Sequence, residues 1–272
     1  MKTDKILQTL SLSEKVHQMF ILGFPGTRLS DENLNIQKAI RKGIGGVILF
    51  THNIESYEQT AQLSANLQEM AKIPLFVSID QEGGRVERTG NVKDKVNYLS
   101  PGEIAATKTP EFAAQQAEIM VKELQSMGVN MDFAPVLDVN TNPKNPIIGI
   151  RSFGDTPEQV IKFAKPVYQT FMANNIVPVV KHFPGHGMTG EDSHLTMPSV
   201  DLSMDELERI HIAPFKQAIA DGISAIMVSH VHYKAFNEEV MPASLSENVI
   251  KRYLRNKLGF EGIVISDDMV MG

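Results

Sequence analysis

Lys181-His182-Phe183-Pro184-Gly185-His186-Gly187, followed after four intervening residues by Asp192-Ser193-His194, gathers three imidazoles, an ammonium and the Asp192 carboxylate within fourteen residues. Its glycines and proline forbid a regular helix, and titratable chemistry on an irregular segment is the mark of an active-site loop. Asp192 and His194, two apart on extended chain, point to the same side. The carboxylate then orients the imidazole and favours its protonated form, so the pair can give and take a proton near neutral pH.

Three further clusters carry candidate chemistry. Asp267 and Asp268 are adjacent carboxylates that end an apolar run. Alternation puts Ile263, Ile265 and Asp267 on one face and Val264, Ser266 and Asp268 on the other, and both faces are apolar, so periodicity does not choose between the two acids. One can serve as a nucleophile, the other as a helix cap. Asp80-Gln81-Glu82-Gly83-Gly84-Arg85-Val86-Glu87-Arg88 joins acids and arginines across a glycine pair that permits positive φ; it reads either as a polyol-binding turn or as a turn closed by its own ion pairs. After the fourth apolar stretch the chain runs Asn140-Thr141-Asn142-Pro143 and continues to Arg151-Ser152-Phe153-Gly154, a Pro/Asn-rich loop whose length points to function.

The elements that must position these groups are legible as short Val/Ile/Phe-rich runs at 19–24, 46–50, 74–80, 131–138, 176–182, 225–231 and 262–268, alternating with helix-patterned stretches at 56–71, 110–127, 157–174 and 204–220. Thr156-Pro157 reads as an N-cap followed by Pro in the first turn, and Ser203 precedes an acidic first turn. Continuous apolar strands alternating with helices predict a parallel sheet covered by helices. Most runs end in a reactive group: Asp80, Asp138, Lys181-His182, Ser229-His230 and Asp267-Asp268. A (β/α)8 barrel brings all strand ends to one mouth, whereas an open sheet gathers only those at its switch point, so a TIM-type barrel is expected. The chain is read as one domain, 1–272, with seven strands present and the eighth expected beyond Gly272.

The 272 residues, 42% hydrophobic, suffice for one large core. A net charge of −6 without a basic stripe argues against nucleic acid. The absence of cysteine excludes disulfides, thiolate catalysis and cysteine-based zinc sites. No run approaches a membrane-spanning length, and Met1-Lys2-Thr3-Asp4-Lys5 opens no apolar signal core, so a cytoplasmic location is expected, with secretion or surface anchoring open if a signal was removed.

The motif K-H-F-P-G-H-G-x4-D-S-H resembles the signature of the β-N-acetylglucosaminidase branch of the family 3 glycoside hydrolases, with every fixed position present. The D-Q-E-G-G-R-V-x-R, R-S-F-G and S-D-D-M segments are similar to further segments of that family. The resemblance implies a retaining exo-β-N-acetylglucosaminidase without cofactor or metal, acting on small saccharides such as peptidoglycan fragments. It makes Asp267 the nucleophile, His194 the general acid/base and Asp192 its partner. It makes Asp80, Arg88, Arg151, Lys181 and His182 ligands of sugar hydroxyls; His230, which ends the sixth run, is a further candidate. Phosphate in place of water as acceptor is an alternative, because a histidine acid/base does not repel a dianion. A catalytically crippled sugar-binding fragment is another. A metallohydrolase built on His182, His186, Asp192 and His194 is disfavoured by the neighbouring Lys181 cation and by the lack of helical ligand spacing. The role of His186, the natural aglycone and the oligomeric state stay open.

Overall fold

The computed structural model describes residues 2–190 and 197–271. It divides into two compact units. The first comprises 1–81, 87–96 and 120–132, and the second 82–86, 97–119 and 133–272.

In the first unit four parallel strands pair in chain order: β1 (Ile21–Leu22), β2 (Gly46–Leu49), β3 (Phe76–Ile79) and β4 (Met131–Asp132). Val47, Leu49, Val77, Ile79 and Met131 are fully buried, as strands covered on both faces require. The helix Leu34–Lys42 follows β1 and ends at Gly43 in the left-handed conformation. The helix Tyr57–Glu69 follows β2, its first turn capped by the Ser56 side chain, which accepts from the Gln59 N–H.

The second unit carries β5 (Val177–Phe183), β6 (Ser199–Val200), β7 (Ala225–Val228), β8 (His232–Tyr233) and β9 (Ile263–Ser266). Strands β5, β7 and β9 form one parallel set, and β6 pairs with β8 in a separate ribbon. Just past β4, Val136 bridges in parallel to Lys181. The apolar core packs Tyr168, Phe171, Phe183, Phe215, Ile226 and Leu254, with Phe183 and Phe215 edge to face at 5.3 Å. Thr156 caps the helix Pro157–Ala173 through Gln159, and Ser203 forms a capping box with Glu206.

Seven parallel strands therefore fall on the seven expected runs, β5 alone passing its run by one residue, Phe183. One expected helix is not continuous. Residues 204–220 form a short turn Met204–Glu206, a π-helical segment Leu207–His211 and the helix Ala213–Ala220. Pro214 has no N–H to donate back one turn, and the chain rewinds so that the Ile212 N–H bonds the Leu207 carbonyl at 2.8 Å. Among the described residues no helix is long and apolar enough to cross a membrane.

Candidate active site

Strand-end backbone bonds set the level of the site in the second unit. The Ser229 N–H donates to the Phe183 carbonyl at 3.0 Å, and the Asp267 N–H to the Val228 carbonyl at 2.9 Å. The ends of β5, β7 and β9 are thereby locked side by side, with His182, His230 and Asp267 all at their C-terminal limit.

Around this level stand two buried carboxylates. Glu82 follows the first unit's β3 in sequence and opens a turn through Gly83 and Gly84, whose φ values of 91° and 61° suit glycine. It takes a two-pronged contact from Arg151, Nε to Oε2 at 2.9 Å and Nη2 to Oε1 at 2.8 Å. It also accepts Lys181 Nζ at 2.6 Å. Burial by itself would raise its pKa; the two cations outweigh burial and hold the carboxyl well below the usual carboxylate range. Two of the sugar-binding candidates, Arg151 and Lys181, are thus fixed by one acid.

Asp138 is the second. Its Oδ2 lies 2.6 Å from His182 Nδ1, and its Oδ1 accepts the His186 N–H at 2.6 Å and the His182 N–H at 3.3 Å. Burial pushes its pKa up, but His182 and then His186, through its charge and its N–H, bring it below the ordinary value. Ser152 Oγ donates to its backbone carbonyl at 2.6 Å, tying in the Arg151 turn. The peptide between Lys181 and His182 is cis.

His186 is buried beside His182, the rings T-shaped at 5.8 Å. Burial first, then His182, lowers its pKa, partly offset by Asp138 and Asp267. Its Nδ1 meets Thr189 Oγ1 at 2.8 Å, and Asn145 Nδ2 donates to the His186 carbonyl at 2.9 Å. His186 therefore braces the base of the 184–190 segment from within. Asp192 and His194, which continue that segment, lie outside the described residues.

His230 has protein partners on both ring nitrogens: Ser244 Oγ at 2.6 Å from Nδ1 and the Asp268 carbonyl at 3.1 Å from Nε2. Through these two contacts His230 braces the peptide after Asp267. Asp267 Oδ1 accepts the Asp268 N–H at 2.9 Å, and Asp268 Oδ1 the Val270 N–H at 3.0 Å, so Asp268 closes the turn. His211 and His232 are buried, and His17 bonds the Ser13 carbonyl at 2.7 Å.

In the first unit Arg88 Nη2 bonds Asp80 Oδ2 at 3.0 Å, and the guanidinium lies 5.5 Å from the Phe50 ring centre. Buried Gln81 fixes this pair: its N–H bonds Asp132 Oδ1 at 2.9 Å, and its Oε1 accepts the Arg88 N–H at 2.8 Å. Sequence reasoning missed Glu82 and Asp138 as site members. Both carried a signal, an acid at or just beyond the end of an apolar run, but buried partners are invisible without the fold.

Acids and cations at the C-terminal ends of parallel strands are the arrangement of a (β/α)-barrel enzyme, and a sequence comparison gives its class: the model of the glycosyl hydrolase family 3 N terminal domain matches residues 11–272. The chain belongs to glycosyl hydrolase family 3, and its seven parallel strands are those of the family's (β/α)8-barrel domain. It is similar to the beta-hexosaminidase A of Pseudoalteromonas piscicida, 37% identical over 256 residues, which cover 85% of this chain and 42% of that protein. Among solved structures it resembles a family 3 beta-N-acetylglucosaminidase from Paenibacillus sp. str. FPU-7, at 42% identity and a TM-score of 0.91, covering 97% of this chain and 50% of the other. It also resembles NagZ from Neisseria gonorrhoeae in complex with N-trifluoroacetyl-D-glucosamine, at 32% identity and a TM-score of 0.83, covering 93% and 75%. The chain thus spans about half the length, or less, of the first two of these proteins.

Proposed function

We propose that this chain carries the catalytic centre of a retaining exo-β-N-acetylglucosaminidase. The observation that supports it most is the clamp of Arg151 and Lys181 on Glu82 at the level of Asp267, in a chain similar to proteins named for that activity. In this reading a terminal N-acetylglucosamine seats its hydroxyls against Arg151, Lys181 and His182. Asp80 and Arg88 are proposed as hydroxyl ligands on their family motif alone.

Asp267 attacks the anomeric carbon while His194, oriented by Asp192, protonates the departing glycosidic oxygen. A covalent glycosyl-Asp267 ester forms. His194 then takes a proton from water, whose oxygen attacks the same carbon, freeing the carboxylate and releasing sugar with retained configuration. His230 and Asp268 hold the Asp267 turn so that its carboxylate has a fixed direction of attack. Muropeptide fragments with terminal N-acetylglucosamine, met in the cytoplasm during cell-wall recycling, are the natural substrates of this reading.

The test is nitrophenol release from an aryl β-N-acetylglucosaminide, with the aryl β-glucoside alongside. Turnover of the first alone, abolished in Asp267→Ala, is the expected result. Turnover unchanged in that variant refutes the nucleophile assignment, and preference for the glucoside refutes the sugar class.

A further inference from the structure

We infer that Asp138 is a positioning residue that sets the tautomer of His182, so that His182 Nε2 accepts from Arg151 and holds that guanidinium in place for substrate. The inference deepens the proposed reaction and rests on it only for its kinetic arm.

The argument begins with what each neighbour can do. Asp138 is fully buried, and its ionised carboxylate only accepts. Its Oδ2, 2.6 Å from His182 Nδ1, therefore requires a proton on Nδ1. On the other side of the ring, Arg151 Nη2 stands 3.4 Å from Nε2. A guanidinium only donates, so Nε2 must present its lone pair. The two constraints agree on one tautomer. Arg151 is itself held by Glu82 through both prongs, so it cannot turn away without breaking a buried ion pair.

The other oxygen of Asp138 gives a second effect. Oδ1 accepts the backbone N–H of both His182 and His186, so the carboxylate spans the peptide from the strand end to the start of the following loop. A ring fixed by its own backbone and its own Nδ1 has little freedom to swing. Its lone pair is then aimed at Arg151, which is held by His182 on one side and by Glu82 on the other. This orientation by an outer partner follows the logic by which carboxylates fix metal-bound and catalytic histidines.

Asp138→Asn is nearly isosteric. Its amide oxygen can still accept from the two N–H groups, while its NH2 replaces the acceptor at Nδ1. The ring must then accept at Nδ1 and carry its proton on Nε2, facing Arg151 with donor against donor.

Two measurements test this. The first is the long-range proton–nitrogen spectrum of the histidine-labelled chain, with the His182 signals identified by their loss in His182→Gln. The expected result is Nδ1–H in the wild type. An Nε2–H tautomer, or a ring protonated on both nitrogens at neutral pH, overturns the inference, whether or not the chain turns over substrate and whether or not Asp138→Asn folds.

The second is a cycle of Asp138→Asn against aryl N-acetylglucosaminides lacking the 3-, 4- or 6-hydroxyl. The variant lowers kcat/KM by about 10- to 100-fold on the full sugar. The penalty for deleting one hydroxyl, and only one, disappears in the variant, because Arg151, pushed off by the Nε2–H, has already released that hydroxyl. Equal penalties for all three in both enzymes mean a merely structural Asp138 and overturn the assignment. Absence of turnover in the wild type would instead count against the proposed function and leave the tautomer result standing.

Discussion

Glu82 concentrates the electrostatics of this site in one side chain. Its carboxylate is 1% exposed and neutralises two cations that the sugar-binding role needs close together. Without it Arg151 and Lys181 would repel each other in a poorly solvated place. Glu82→Gln leaves the shape and removes the charge, and breaking such a buried pair costs about 3–5 kcal/mol. The expected outcome is a lower unfolding midpoint in urea together with a raised KM. An unchanged midpoint would mean that solvent already screens the pair. The pH dependence has a defined sign. The folded pKa of Glu82 lies below its ordinary 4.5, so its stabilisation is present above pH 4.5 and declines as pH falls below it. His186 and His211 also have folded pKa values below their ordinary 6.5, because burial disfavours their charged forms. The unfolded chain therefore takes up their protons first, and stability starts to fall as pH drops through 6.5. Thermal melts from alkaline to acidic pH should show a decline that begins near this ordinary histidine value in the wild type. His186→Gln should flatten that first part of the decline.

At the scale of elements, the decisive contact is between two loops. The segment that bears Lys181, His182 and His186 is seated on the 139–149 loop. The Asn142 N–H donates to the Gly187 carbonyl at 3.2 Å, and Asn142 Nδ2 to the Thr189 carbonyl at 3.1 Å. Gly187 makes this possible, since a Cβ there would lie 1.9 Å from the Val139 carbonyl oxygen. Gly187→Ala must push the two backbones apart, at an overpacking cost of about 1–3 kcal/mol. The expected kinetic outcome is a fall in kcat larger than the rise in KM, because the displaced segment leads directly to His194. A variant with wild-type kcat would show that the loops can separate without consequence for the chemistry.

For the molecule as a whole, seven parallel strands set their reactive ends by backbone pairing, and the chemistry is assembled from residues far apart in sequence. Glu82, Asp138, Arg151, Lys181 and Asp267 come from five different segments of the second unit. None of this requires a bound cation, and the two cations of the site would oppose one. Dialysis against a strong chelator should leave nitrophenol release unchanged; loss of activity that zinc restores would revive a metal-dependent mechanism.

The sequence by itself determined the strand and helix alternation, because buried parallel strands read as continuous apolar runs and several helices here start at a capping Ser or Thr. It also determined the chemical inventory of the 181–194 motif, since residue types and spacing are local properties. It could not separate Asp267 from Asp268, because both faces of that strand are apolar; in the fold Asp268 closes the turn with the Val270 N–H. It could not show that His230 meets Ser244 and the Asp268 carbonyl, contacts that only the fold brings about. It left Glu82 and Asp138 unassigned and read 204–220 as one helix. Which acid is buried against which cation depends on contacts between segments distant in sequence, such as Asp138 with His182 and Glu82 with Lys181. Only packing brings those segments within hydrogen-bonding distance, so only the tertiary structure decided which groups brace one another and which charges offset each other.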